Sequence, residues 1–192
     1  MNPPKVLVFA GSLRAASYNK KAARLASAAA SAAGADVTQI DLRDYPLPLF
    51  DGDLEAAQGL PPNARRLKDL FIASDGLIIA CPEYNAGITA VLKNTIDWVS
   101  RQSGDEAGTL PYDGKVAGLI GATPGQFAAL RSMDMTRHVL MNLGCNVIAK
   151  RLGIARAHEA FDEAGNLRDP KVAAALHAVA GEVVRTAAAW RR

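Results

Sequence analysis

A short polar segment near the amino terminus combines residue types that bind a phosphate group. Residues 11–19 read GSLRAASYN and supply three short hydrogen-bonding side chains, Ser12, Ser17 and Asn19, with the charge of Arg14. The segment separates an apolar run from an alanine-rich run, as a turn between a strand and a helix would. The free N–H groups of a helix N-terminus favour an anion. The segment therefore predicts a phosphate site, the alternative being an ordinary turn with Ser17 or Asn19 as helix N-cap.

The segment differs from the two most widespread nucleotide-binding loops. It lacks the G-x-x-x-x-G-K-[ST] pattern of ATP and GTP hydrolases. It also lacks the G-x-G-x-x-G fingerprint that precedes a dinucleotide in Rossmann folds. These absences argue against ATP hydrolysis and against an NAD site of the Rossmann type.

A second distinctive segment, residues 82–98, reads PEYNAGITAVLKNTIDW and follows a third apolar run. Pro82 and Gly87 predict a rigid turn. Tyr84 offers a flat apolar ring with a polar tip, and Asn85 can both donate and accept hydrogen bonds. These residues suit a planar heteroaromatic ring with polar edges. A structural turn with Tyr84 merely packed is equally consistent with this segment alone.

Together, the two segments resemble a known family. GSLRxxSxN after the first strand and PEYNxxxxxxLKNxIDW after the third are similar to motifs of the NADPH-dependent FMN reductases. That family includes bacterial quinone, chromate and azo reductases of flavodoxin-like fold. The order and placement of the two motifs match, and the alternation of strands and helices covers nearly the whole chain.

The resemblance implies that three loops hold FMN. The phosphate would lie on residues of the first loop: Ser12, Arg14, Ser17 and Asn19. The isoalloxazine ring would be lined by residues of the second loop: Pro82, Glu83, Tyr84 and Asn85. Its edge would meet the third loop at Thr123 and Gly125. Because the flavin carries the chemistry, no residue is expected to be catalytic, and Glu83 is expected to make a structural hydrogen bond rather than donate a proton.

Two departures from the family pattern bear on the site. Many relatives carry proline in the stretch where this chain has residues 88–90. Many also carry a Gly-Gly pair in the third loop where this chain has Ala128 and Ala129. These two side chains are expected to narrow the space for the acceptor or the nicotinamide. Four further residues match the family motif: Lys93, Asn94, Asp97 and Trp98. They are expected to be mainly structural, either fixing the start of a helix or, as in relatives, helping to form a dimer face.

Hydrophobic patterning predicts the elements that position these loops. Strands are expected at residues 5–10, 36–42, 77–81, 115–121 and 146–153. Helices are expected at residues 18–33, 61–73, 91–101, 127–143 and from 169 to the C-terminus. Residues 43–60 and 155–168 are expected to be loops, the former a long crossover or a mobile lid. The alternation predicts an α/β fold, and the resemblance implies a flavodoxin-like three-layer sandwich with strand order 2-1-3-4-5.

Bulk properties limit the remaining function classes. The chain has 192 residues, 49% hydrophobic and 21% charged, which predicts one domain over residues 1–192. Its net charge of +3 is not gathered into the basic stripe that nucleic acids require. The amino terminus lacks a signal-peptide pattern and the apolar runs are too short for a membrane span, so a cytoplasmic protein is expected. Cys81 and Cys145 are expected to be buried thiols, and the three histidines lack metal-ligand spacing.

These observations predict an FMN-dependent NAD(P)H oxidoreductase. A hydride would pass from NADPH or NADH to FMN and then, by a ping-pong scheme, to a quinone, free flavin, azo compound or metal oxyanion. The resemblance implies a homodimer or a dimer of dimers. Two alternatives stay open: a flavodoxin-like electron carrier without NAD(P)H turnover, and a binding protein that retains only the fold. Against the carrier, such proteins tend to be acidic and this chain is not.

Overall fold

A parallel sheet of five strands forms the centre of the computed structural model, which describes residues 2–190. The strands are β1 (Lys5–Ala10), β2 (Asp36–Gln39), β3 (Gly76–Ala80), β6 (Val116–Ala122) and β7 (Asn146–Ile154). They run in the order β2-β1-β3-β6-β7. This confirms the predicted order 2-1-3-4-5, because β4 (Glu83–Tyr84) and β5 (Gly87–Ile88) form only a separate short hairpin. The central strands are apolar throughout because helices cover both faces of the sheet.

Helices α1 (Tyr18–Ala32) and α7 (Pro170–Trp190) cover one face of the sheet. Helices α3 (Pro62–Ile72), α4 (Ala90–Val99) and α5 (Leu130–Asn142) cover the other. The first layer is packed largely by alanine and valine, so α1 and α7 approach the sheet closely. The second layer contains the large rings Phe9, Phe71 and Tyr112. The centre of the Phe71 ring lies 5.5 Å from that of Phe9 and 5.4 Å from that of Tyr112. The result is the expected three-layer sandwich.

The prediction of a continuous loop over residues 43–60 was wrong. Strand β2 ends at Gln39, and a 3-10 turn over Leu42–Asp44 follows because the Asp41 carboxylate accepts from the backbone N–H of Arg43 at 3.0 Å. Helix α2 (Gly52–Gln58) then forms behind Asp51, which caps its first turn in the same way. The two aspartate caps thus stabilise short helical turns in a segment whose prolines and glycines had suggested a loop.

Other boundaries differ where the backbone departs from helical geometry. Helix α5 begins at Leu130 rather than at Phe127, because Ala128 and Ala129 adopt positive φ angles. A short helix, α6 (Ala157–Ala160), interrupts the loop predicted over 155–168. The predicted continuation of the last helix to Arg192 lies outside the described residues.

Helix α7 is long and apolar enough, by length and composition, to cross a membrane. Its mean hydropathy reaches 1.3 over an 18-residue window. One face of it, including Leu176, Val179 and Val183, is buried against the sheet. Packing of this face on the sheet accounts for the apolar composition, as in many core helices of α/β folds.

Candidate flavin site

The three loops predicted to bind a ligand meet at the carboxyl edge of the sheet. They follow β1, β3 and β6, which are neighbours, and a sheet of this kind binds ligands beyond those strand ends. A cleft of about 80 Å³ lies where they converge. Eight of the ten predicted site residues line it: Ser12, Arg14, Ser17, Asn19, Pro82, Glu83, Tyr84 and Thr123. Asn85 lies at the adjoining hairpin tip and Gly125 two residues beyond Thr123.

Three side chains of the first loop, Ser12, Arg14 and Ser17, line the cleft with donors left free in the described chain. Ser17 occupies the N-cap position of α1, but its side chain makes no capping hydrogen bond. The Ser12 hydroxyl accepts from the backbone N–H of Arg14 at 3.3 Å, which leaves its own proton to donate. Among residues 2–190 nothing pairs with the Arg14 guanidinium. The first N–H groups of α1 also precede its first internal bond, from Lys21 to Ser17 at 3.2 Å. These donors match the acceptor oxygens of a phosphomonoester.

Asn19 links the first loop to the third instead of pointing freely into the cleft. Its amide nitrogen donates to the carbonyl of Ala122 at 2.7 Å, and its amide oxygen accepts from the N–H of Ala122 at 2.9 Å. The side chain is 4% exposed. Asn19 therefore satisfies both backbone groups at the end of β6 and fixes the start of α1 against it.

The second loop is a tight hairpin with a left-handed tip. Asn85 and Ala86 have φ angles of 50° and 65°, and β4 pairs with β5 on either side of them. Two consecutive positive φ angles define the type I′ turn, which matches the twist of hairpin strands. The turn presents Tyr84, which is 60% exposed, at the rim of the cleft.

Thr89, within the stretch that departs from the family pattern, links the second loop to the first and was missed in the sequence. Its hydroxyl donates to the carbonyl of Gly11 at 2.7 Å and accepts from the N–H of Leu92 at 3.4 Å. The same side chain thus caps α4 and ties the second loop to the first. A threonine immediately before a helical pattern was the available signal.

Glu83 holds the second loop to the third, as expected for a structural carboxylate. It accepts from the guanidinium of Arg131 and from the backbone N–H groups of Arg131 and Ser132, at 3.1 and 3.3 Å. Its side chain is 7% exposed. The Ser132 hydroxyl donates to the carbonyl of Pro82 at 2.7 Å. Arg131 and Ser132 lie too far along the chain from Glu83 for local patterning to have paired them.

The third loop turns back through two left-handed alanines. Ala128 and Ala129 have φ angles of 53° and 59° and are 9% and 0% exposed. The expectation that their side chains narrow the ligand space was wrong, because both methyl groups pack against the sheet at Gly153 and Gly121. Phe127, 64% exposed, remains the large side chain at this rim, with the Arg131 guanidinium 4.5 Å from its ring centre.

The matched motif on α4 is structural. Asn94 and Trp98 both donate to the carbonyl of Pro48, at 2.8 and 2.9 Å, and Asn94 accepts from the N–H of Phe50. Trp98 is fully buried, with Phe50 edge-on at 5.0 Å. This anchoring favours the crossover interpretation of the segment over a mobile lid.

Two larger clefts contain lysines that are already engaged. One of about 550 Å³ lies at the opposite edge of the sheet, around Lys115. Burial lowers the pKa of Lys115, and its amine donates to the carbonyls of Ile72 and Ser74. Another, of about 300 Å³, contains the Lys20–Asp41 ion pair at 2.6 Å. In the described chain, the small cleft is the place where Arg14, Ser17 and the start of α1 bring unpartnered donors together.

Neither cysteine has the properties of a nucleophile. Burial raises the pKa of Cys81 and that of Cys145 to about 12. At neutral pH both remain protonated and shielded, which agrees with the expectation of buried thiols.

Comparisons with known proteins agree on one family. The model of the NADPH-dependent FMN reductase family matches residues 4–159. An NAD(P)H-dependent FMN reductase of Pseudomonas aeruginosa is 36% identical over 87% of this chain and 86% of its own. A quinone reductase of Pseudomonas putida is 31% identical over 85% and 84%. The structure of a flavoenzyme NAD(P)H:(acceptor) oxidoreductase from Paracoccus denitrificans superimposes with a TM-score of 0.81 at 28% identity, covering 97% of this chain and 98% of that one.

Proposed function

The chain belongs to the NADPH-dependent FMN reductase family, and we propose that it binds FMN where its three loops meet and reduces a small acceptor by a ping-pong scheme. As a member of that family it is an oxidoreductase with FMN as cofactor and NAD(P)H as electron source. The single observation that carries the proposed site is the set of unpartnered donors, Arg14, Ser17 and the first N–H groups of α1, facing one cleft.

The phosphate of FMN fits the first loop because the donor set matches it. Arg14 supplies a fixed positive charge, Ser12 and Ser17 supply hydroxyl protons, and the start of α1 supplies backbone N–H groups. The cleft of about 80 Å³ is far smaller than the roughly 300–1,000 Å³ of sites that enclose a drug-sized ligand. The isoalloxazine therefore lies across the rim.

The rim offers apolar surface for a planar ring. Tyr84, which lines the cleft, is 60% exposed, and the first and third loops each carry one further exposed apolar side chain, Leu13 at 50% and Phe127 at 64%. Aromatic faces bind planar partners by offset stacking. We propose that the flavin lies against Tyr84 and that the nicotinamide and the acceptor take turns on its open face.

When bound, FMN supplies the hydride-transfer chemistry. Residues of the three loops would position it, with Thr123 and Gly125 at the ring edge. The N–H of Thr123 donates to the Ile154 carbonyl and that of Gly125 to the Thr123 hydroxyl, at 3.0 and 3.3 Å, so these N–H groups hold the loop itself. Glu83 is engaged by Arg131 and Ser132 and donates no proton to the reaction. Buried, protonated cysteines exclude a thiolate step.

A quinone is the acceptor class that the rim supports best. Planar apolar molecules match the exposed side chains, and several relatives are named as quinone reductases, including a 2-hydroxy-1,4-benzoquinone reductase of Burkholderia at 39% identity over 70% of this chain. Free flavin, azo compounds and metal oxyanions are the alternatives. The structure also resembles a flavodoxin from the Archaea at a TM-score of 0.64, but 11% identity carries only the fold, so the electron carrier is the second candidate.

We further propose that the whole chain acts as one cytoplasmic domain that assembles as a homodimer or a dimer of dimers. Helix α7, beyond the matched residues 4–159, completes the core of the same sheet. A groove of about 340 Å³ between α4 and α5 includes Lys93 and Asp97 of the family motif. Light scattering of the purified protein, with and without FMN, tests the assembly.

Steady-state kinetics test the proposed reaction. Protein loaded with FMN should oxidise more than one equivalent of NADPH or NADH only when an acceptor is present, and turnover with benzoquinone should be faster than with chromate. Double-reciprocal plots at several acceptor concentrations should be parallel, as a ping-pong scheme requires. A flavin that neither NADPH nor NADH bleaches without oxygen would instead support the carrier.

A further inference from the structure

The third loop ends in a pair of residues whose conformation depends on two distant glycines. Ala128 and Ala129 hold φ angles of 53° and 59°, a region that favours glycine. Both side chains are buried. The two methyl groups require space on the sheet beneath.

That space comes from Gly121 and Gly153, which are paired in register on adjacent strands β6 and β7. A Cβ placed at Gly121 would lie 2.7 Å from the Cβ of Ala129. A Cβ placed at Gly153 would lie 2.7 Å from the Cβ of Ala128 and 2.6 Å from its carbonyl oxygen. Contacts below 3.0 Å force a displacement, so neither glycine can gain a side chain while the alanine pair stays in place.

Backbone hydrogen bonds to the end of β7 and the segment after it restrain the loop between β6 and the alanine pair. The N–H of Thr123 donates to Ile154 at 3.0 Å, and its carbonyl accepts from Ala157 at 2.9 Å. The carbonyl of Gly125 accepts from the N–H of Arg156 at 3.1 Å. Movement of the alanine pair is therefore transmitted to Thr123 and Gly125, the residues expected at the flavin edge.

We infer that Gly121 and Gly153 are positioning residues of the flavin site: by lacking side chains they admit the left-handed alanine pair and fix the third loop against the ring. This inference rests on the proposed FMN site. The loop residues act on a bound ring only from their correct positions, and a misplacement of about 1 Å can cost up to ~100-fold in function.

Adding a methyl group at residue 121, and then removing the one at residue 129, tests the inference. Gly121→Ala is expected to weaken FMN binding by about tenfold or more, measured by quenching of flavin fluorescence, and to shift the two-electron midpoint potential, since the groups at the ring edge are displaced. The double variant Gly121→Ala/Ala129→Gly removes the 2.7 Å contact and leaves 3.1 Å to the carbonyl of Cys81. It should recover affinity and potential to near the unmodified protein.

Two further variants separate positioning from general destabilisation. Gly118→Ala overpacks the same strand against Val183 at 2.6 Å, on α7; it should lower the thermal midpoint and leave FMN affinity intact. Gly153→Ala should weaken FMN binding without rescue by Ala128→Gly, because the clash with the carbonyl oxygen of residue 128 persists.

The loop conformation of the same variants can be measured without flavin, and this measurement separates the inference from the proposed function. Amide chemical shifts of residues 123–127 in the flavin-free protein should move in Gly121→Ala and return in the double variant. The inference is overturned if Gly121→Ala leaves these shifts and FMN affinity unchanged, or if Ala129→Gly fails to restore them. Failure of the unmodified protein to bind FMN would remove the proposed function but leave this shift test in force.

Discussion

The two edges of the sheet reach positive φ angles with different residues. At the amino edge the turns into β2, β6 and β7 use glycine: Gly34 at 94°, Gly114 at 70° and Gly144 at 88°. At the carboxyl edge, the five non-glycine residues with positive φ in the described chain follow β3, β6 and β7: Asn85, Ala86, Ala128, Ala129 and Arg156. Glycine adopts this region without steric cost, whereas each other residue is strained by about 1–3 kcal/mol.

The difference separates turns that only connect from loops that position a ligand. A strained conformation persists only where surrounding contacts determine it. The carboxyl edge supplies such contacts through Asn19, Glu83 and Thr89, each of which bonds to the backbone of another loop. At this edge the long-range hydrogen bonds fix the loops, and the backbone adopts unfavourable positive φ angles as a result.

Substitution of Asn19 is expected to break this framework most severely. Asn19→Ala leaves both backbone groups of Ala122 without partners in a buried setting, at a cost of about 3 kcal/mol in unfolding free energy. Urea denaturation measures it. Asn19→Asp keeps the acceptor but places a buried carboxylate oxygen against the Ala122 carbonyl, so at least as large a loss is expected, and a small loss would show that the paired amide is not what matters.

Glu83→Gln should cost about 2 kcal/mol, since the buried carboxylate loses its charge-assisted bonds to Arg131 and to the start of α5. The matched control is Glu182→Gln, which breaks the exposed Lys150–Glu182 pair and should cost less than about 0.5 kcal/mol. Thermal and urea unfolding of both variants compare the two sites. Equal costs would contradict the importance assigned to the carboxyl edge.

Opposite exchanges of glycine and alanine compare the two edges directly. Gly34→Ala, in open space at φ 94°, should destabilise by about 1 kcal/mol. Ala86→Gly, at the exposed hairpin tip with φ 65°, should stabilise by about 0.5 kcal/mol, because relief of strain exceeds the added freedom of the unfolded chain. A loss of stability in Ala86→Gly would mean that this tip is unstrained.

The smallest effect is expected from acid titration of Asp41, beside the start of α1. Burial raises its pKa, but hydrogen bonds from Lys20 and the N–H of Arg43 outweigh this, so the pKa is lowered from its usual 3.8. The stabilisation is present above pH 3.8 and is lost as pH falls through the lower folded-state pKa. Because the Lys20–Asp41 ion pair is partly exposed, Asp41→Asn should reduce only slightly the dependence of the unfolding free energy on pH in the acid range.

Sequence patterning was sufficient for the five apolar strands of the sheet, and the family resemblance supplied their order. The ten residues that the resemblance assigns to the flavin stay a prediction, of which eight line one cleft. The missed features are those that depend on tertiary contacts. Thr89, Arg131 and Ser132 bond to residues far along the chain, and no local preference predicts left-handed alanines, because Gly121 and Gly153 make room for them only once the sheet has formed.

The most direct test of the FMN site is the affinity of the flavin-free protein for FMN, measured by fluorescence quenching in the unmodified chain and in Arg14→Ala. The account predicts a yellow protein after desalting and an affinity about tenfold or more weaker in Arg14→Ala, because a charge-assisted phosphate contact is lost. The thermal midpoint without flavin should not change, since Arg14 has no protein partner among residues 2–190. A colourless unmodified protein, or equal affinities, would contradict it.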